Sequence, residues 1–208
     1  KRQSQQAADE SSGPAWDRNA ITPGTAFMKK LRLGLEQMIS KHGKKSWILS
    51  SSDEPGEGEH KIISEWRKGG RDGNYAVYGL DADLIVLSIL GQELCALKNN
   101  VWLFREEVNA GKISYNSDGE ELFEWFSVDS LKDWLVATGD SEKQRLFIIN
   151  YCFAMSILGN DFLPSSLGFK IRDDGHAELL EIIRDFVSKD IALVNPVSLE
   201  ISFDNVLV

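Results

Sequence analysis

Few of the residues that staple a small fold or ligate a soft metal occur in this sequence. There are two cysteines, Cys95 and Cys152, each in apolar surroundings and neither with a CxxC companion. Three scattered histidines complete the inventory of soft-metal donors, so a disulfide framework and a zinc site are both excluded. The cysteines read as free thiols in a reducing compartment, which places the protein inside a cell. Long apolar runs are absent too. The longest, Leu146 to Leu158, is broken by Asn150 and Ser156, too short for a bilayer; no secretory signal or membrane association is expected.

What remains is an ordinary globular composition: 208 residues, 42% hydrophobic and 26% charged, with a formal net charge of −9. The charge is unevenly spread. Residues 1–71 hold 13 Lys+Arg against 9 Asp+Glu, whereas residues 72–208 hold 10 against 23. A basic stretch beside an acidic one can serve phosphates and cations together, and an ordinary solvated acidic surface has the same composition.

Residues 1–20 read as a polar helix remnant and a loop. Thr22-Pro23 is a helix start, and Phe27, Leu31, Leu35 and Met38 form the stripe of an amphipathic helix ending at Gly43. Ser46 to Ser51 reads as a short buried strand. A turn at Asp53-Glu54-Pro55-Gly56 leads to a helix with Glu59, Ile63 and Trp66 on one face. Tyr75 to Leu80 is a second strand. Strand, helix and strand in this order predict an α/β fold with a mostly parallel sheet flanked by helices. Beyond it, Leu94–Leu97 and Val101–Arg105 read as a hairpin. Helices follow, one capped by Ser127 or Asp129 and running to Leu135, then 142–158 and 176–188. The last twenty residues read as strand. Residues 21–165 form the expected core of one domain, and 166–208 a helical extension that stops without a natural cap.

Acidic residues gather where the strands end, the side on which open α/β sheets bind ligands. Glu57 and Glu59 follow the first strand, and Asp81 and Asp83 end the second. Spacing of i, i+2 puts each pair on one side of an extended backbone. Carboxylates held this close repel unless a cation lies between them, and hard oxygen donors favour Mg²⁺ or Mn²⁺. Asp161, just past the apolar helix, is a fifth candidate. Read singly, each has a plain alternative: helix N-terminal charge for the Glu pair and a cap for Asp161. His60 can contact a phosphate of the substrate, or be a packed or capping histidine. Lys61 can offset phosphate charge or be merely solvated.

Five segments occur here in the order found in the Xrn family of 5′→3′ exoribonucleases, which this chain resembles from about residue 19 to 164. They are Ile21-Thr-Pro-Gly-Thr-Ala-Phe-Met28, Pro55-Gly-Glu-Gly-Glu-His-Lys-Ile62, Tyr78-Gly-Leu-Asp-Ala-Asp-Leu-Ile85, Arg105-Glu-Glu107 and Leu158-Gly-Asn-Asp-Phe-Leu-Pro164. The resemblance implies a PIN-like, flap-nuclease-type fold. It also implies hydrolysis of single-stranded RNA from a 5′-monophosphate end, with two Mg²⁺ or Mn²⁺ ions about 4 Å apart. By position Glu57, Glu59, Asp81, Asp83 and Asp161 match the family's metal-site acids, while further N-terminal aspartates of the family have no counterpart in this sequence. The family's 5′-phosphate helix carries Lys and Gln followed by paired arginines. Lys1 and Gln5 fit that pattern, but Ala8 and Asp9 stand where the arginines would be, which bears on 5′-monophosphate selection. A non-catalytic relative that binds RNA or protein is the alternative. Phosphotransferase and calcium-loop readings of Asp81-Ala-Asp83 fail, because Leu84 and Ile85 follow where a Gly-Thr pair or oxygen ligands would be needed.

Overall fold

Thr25, and not Thr22, starts the first helix. In the computed structural model, which describes residues 16–43, 46–68, 73–95, 100–136, 139–159 and 174–206, a short 3₁₀ turn at Arg18–Ile21 precedes α1 (Ala26–His42). The Thr25 hydroxyl accepts the Met28 N–H at 3.3 Å and donates to the Ala20 carbonyl at 2.5 Å, satisfying one orphan helix donor. Gly43 caps the other end by donating to the Ile39 carbonyl at 2.7 Å, as its position in the sequence predicts.

The chain divides into two compact units, residues 1–57 and 58–208. In the first, α1 buries none of its residues. The strand expected at Ser46–Ser51 is not formed. Trp47 and Ile48 are exposed, and this segment pairs with no strand among the described residues, so its backbone gains no ladder.

In the second unit, α2 (Gly58–Arg67) leads to β1 (Tyr75–Tyr78), α3 (Asp83–Leu94) and β2 (Val101–Glu106). Strands β1 and β2 pair in parallel from Tyr75↔Val101 to Tyr78↔Phe104, so the unit is a β-α-β crossover. This corrects the hairpin expected between Leu94 and Arg105. Leu84, Ser88, Ile89, Gly91 and Gln92 are buried at helical spacing, so the apolar run up to Leu94 is helix. Helix α2 lies against α3. Gly91 makes that approach possible, since a β-carbon there would meet Ile63 Cδ1 at 2.4 Å and the Trp66 ring at 2.9 Å.

A small antiparallel pair, β3 (Val108–Asn109) and β4 (Lys112–Ile113), precedes β5 (Phe123–Ser127), which pairs antiparallel with β2. Among the described residues the sheet is therefore mixed, in the order β1-β2-β5, where the sequence predicts a mostly parallel one. Helices α4 (Val128–Leu135), α5 (Ser141–Ile157) and α6 (Gly175–Ser188) lie where the sequence predicts. Ser127 caps α4 through Ser130 N–H at 3.1 Å, and Asp140 caps α5 through Glu142 N–H at 2.9 Å. Asp129 does not cap. Its carboxylate accepts from Gln92 Nε2 and Val101 N–H, tying α3, β2 and α4 together.

Ile89, Val101, Leu103, Val128, Leu135, Ile148 and Ile183 form the fully buried centre. Asn150, which breaks the apolar run of α5, is buried with both its side-chain nitrogen and its oxygen paired. It donates to the Ile191 carbonyl at 3.0 Å and accepts from Leu193 N–H at 2.9 Å. The expected terminal strand reduces to one bridge, Val194↔Ile201, followed by α7 (Phe203–Val206). Asn195 Oδ1 takes the N–H groups of Val197 and Ser198, turning the chain back before a ladder can extend. Both cysteines are free thiols. Burial pushes the Cys152 thiol up to about 12 and raises Cys95 as well.

Candidate metal centre

Gly56, at φ +100°, is in the left-handed region that favours glycine, and it turns the chain into Glu57 and α2. Glu59 is thus in the first helical turn, and Glu57 immediately precedes the helix. The i, i+2 spacing predicts an extended pair here. The helical start instead brings a third side chain alongside. Glu57, Glu59 and His60 each offer a ligand atom, and these atoms lie within 4.8 Å of one another. These residues are near neighbours in sequence, so local backbone geometry sets their proximity.

Asp81 and Asp83 are built differently from the expected extended pair. Strand β1 stops at Tyr78, and Asp83 is already the first residue of α3. Asp81 Oδ1 accepts the Asp83 N–H at 3.1 Å, so one oxygen of Asp81 restrains the helix start. The Leu80 carbonyl just before it accepts a long 3.4 Å bond from Arg105 on β2, and Arg105 also lies 3.5 Å from Glu124 Oε1. Arg105, quoted above only as part of a motif, is thereby a brace for the loop that carries Asp81.

Glu59, His60 and Asp83 line one cavity of about 490 Å³, with walls from Val86 and Leu90 on α3 and Ile149 and Phe153 on α5. Carboxylates from α2 and α3 therefore face a shared space with an apolar back. Asp81 is outside that lining and exposed on the loop, and its second oxygen accepts no hydrogen bond from the described residues. Lys61 is half-buried. Asp161, Lys1 and Gln5 lie outside the described residues.

The donor set fits a hard divalent cation. Two carboxylates with a third lining the same cavity supply anionic oxygens, and an imidazole nitrogen beside them is acceptable to Mn²⁺ more than to Mg²⁺. His60 as a ligand candidate was missed in the sequence. The signal was its place directly after Glu59, on the turn that Gly56 forces.

A family described as "XRN 5'-3' exonuclease N-terminus" matches residues 1–107, just over half of the chain. The chain belongs to this XRN family. Among similar proteins are three named "5'-3' exoribonuclease 2". That of Candida albicans is 29% identical over 91% of this chain and 24% of its own length. The Yarrowia lipolytica protein is 33% identical over 76% of this chain and 17% of its own. For Saccharomyces cerevisiae the values are 32%, 80% and 20%. This XRN chain thus spans about a quarter or less of the length of the curated relatives it matches.

Proposed function

We propose that this chain carries the metal-binding core of a divalent-metal-dependent 5′→3′ exoribonuclease of PIN-like, flap-nuclease-type architecture. The observation that carries the reading is the meeting of Glu59 and His60 from α2 with Asp83 from α3 in one cavity, beside Glu57. Family membership and the names of the relatives support the reaction class. Glu57, Glu59 and Asp83 hold Mg²⁺ or Mn²⁺, with His60 at the side. Asp81 joins them through its free oxygen, and Asp161 joins on the strength of its Gly-Asn-Asp-Phe-Leu-Pro motif. Bound ions supply a nucleophilic water at neutral pH and neutralise charge on the phosphodiester.

The chain's own residues orient that chemistry. The helix starts of α2 and α3 hold the carboxylates on short, rigid supports, and Arg105 steadies the approach to Asp81. The apolar wall behind Asp83 limits water on that side and strengthens electrostatic interactions. The 5′-phosphate of a single-stranded RNA is the ligand we assign to Lys61, and to Lys1 and Gln5 on their sequence pattern alone. The two free thiols accord with action inside a cell.

The test is degradation of a 3′-labelled RNA bearing a 5′-monophosphate, with Mg²⁺ or Mn²⁺ and a 5′-hydroxyl control. Metal-dependent loss of the phosphorylated RNA, abolished by Asp83→Asn with the melting temperature unchanged, is the expected result. Equal turnover by Asp83→Asn, or no hydrolysis by the unmutated chain, contradicts the catalytic reading and leaves family membership standing.

A further inference from the structure

One face of the β1-β2-β5 sheet packs on the core through Val77, Val101 and Leu103. The registers Tyr78↔Phe104 and Phe104↔Trp125, with strand alternation, put Tyr78, Trp102, Phe104, Phe123 and Trp125 together on the other face. The rings form a continuous patch. Phe104 stacks on Phe123 at 5.0 Å and meets Trp125 at 4.6 Å and Tyr78 at 5.6 Å, while Trp102 lies 6.5 Å from Trp125. Tyr78 and Trp125 are each 59% exposed and Phe123 44%. Five aromatic side chains on one open sheet face mark an interaction surface.

The charges on this face are of one sign. Glu106 alternates outward with Phe104, Glu121 lies two residues before β5, and no Lys or Arg occupies an outward position of the three strands. Glu106 accepts a hydrogen bond from the Tyr78 hydroxyl, which holds its carboxyl below the usual range, so it stays anionic. The negative charge of Glu121 reaches the same hydroxyl. From 105 to 124 the chain has six acids and two cations, and one of those, Arg105, sits on the opposite face near Glu124. A phosphate backbone is repelled here, and so is a second copy of this acidic chain. Arginine combines a planar cation that stacks on rings with a fork that pairs with carboxylates.

We infer that this aromatic sheet face docks a protein partner through a segment in which arginine side chains alternate with apolar ones, the guanidinium groups lying over Tyr78 and Trp125 and pairing with Glu106 and Glu121. None of these residues lines the cavity of the metal centre, and the inference does not rest on the catalytic reading.

The probe is a fluorescein-labelled amphipathic peptide of leucine and arginine, titrated with the full chain beside a peptide in which glutamate replaces arginine. Saturable binding of the arginine peptide only is expected, weakened about tenfold by Trp125→Ser or Phe123→Ser. Glu106→Gln with Glu121→Gln leaves the rings in place and should weaken binding several-fold and flatten its salt dependence. These carboxamides keep the proposal testable if a ring variant does not fold. Trp134→Ala, at a 64% exposed tryptophan on α4, should change nothing. Equal loss in Trp134→Ala, or undiminished binding in the folded ring and carboxamide variants, shows general attraction to an acidic chain and overturns the proposal. So does an oligouridine that binds through the same rings more tightly than the peptide, or a dimer that Trp125→Ser dissolves.

Discussion

Helices α1 and α3 both carry regular apolar patterns, yet they end up in very different surroundings. Phe27, Leu31 and Met38 along α1 stay partly open to water, and no described residue from Trp16 to Glu57 is buried. Helix α3 buries Leu84, Ile89 and Gly91 against α2, β2 and α5. An amphipathic stripe states which side of a helix prefers to leave water. Burial, and with it most of the stabilisation, requires a second apolar surface. In residues 58–206 the sheet and the five helices α2 to α6 provide that surface for one another.

This contrast makes quantitative predictions. Leu103→Ala or Ile183→Ala in the second unit should cost about 2–5 kcal/mol, whereas Leu31→Ala in α1 should stay within about 0.5 kcal/mol. Urea unfolding of the three variants measures both, and equal losses would erase the distinction between the units. Gly91→Ala should destabilise by about 1–3 kcal/mol through overpacking, with part of the loss recovered when Ile63 is also made Ala. A double-mutant cycle in thermal melts reads that coupling. Asp140→Ala, removing the α5 cap, should cost about 1 kcal/mol in the same melts.

A further effect is confined to alkali. Burial raises Cys152 from an ordinary 9.0, and Tyr151 from 10.0, to about 12 each, so the fold favours their neutral forms. Their contribution is complete below pH 9 and is lost as pH rises from 9 towards 12, because the unfolded chain then ionises first. Cys152→Ala should soften that decline. The first unit contains no cysteine and gains nothing from the change.

Much of the second unit was legible in the sequence. Ser127 and Asp140 mark helix starts by residue type, and Leu179, Leu180 and Ile183 mark the inner face of α6, since both signals are local. Segments whose state depends on distant partners were misread. Ser46–Ser51 has strand residues but no ladder among the described residues, and the apolar run through Leu94 suits helix or strand until its neighbours are placed. Within the site, the motifs gave the residue identities of Glu57, Glu59, Asp81 and Asp83. The meeting of α2 with α3 and the brace from Arg105 are matters of tertiary geometry. Spacing within one segment does not encode them.

The most direct test of the central claim is Mn²⁺ binding, followed by electron paramagnetic resonance as free Mn²⁺ disappears on titration with the full chain. The account predicts saturable uptake that falls at least about tenfold in Glu59→Gln and in Asp83→Asn, with the melting temperatures without metal unchanged. Uptake by both variants equal to that of the unmutated chain would mean that these carboxylates do not share a cation, and would contradict the assignment of the site.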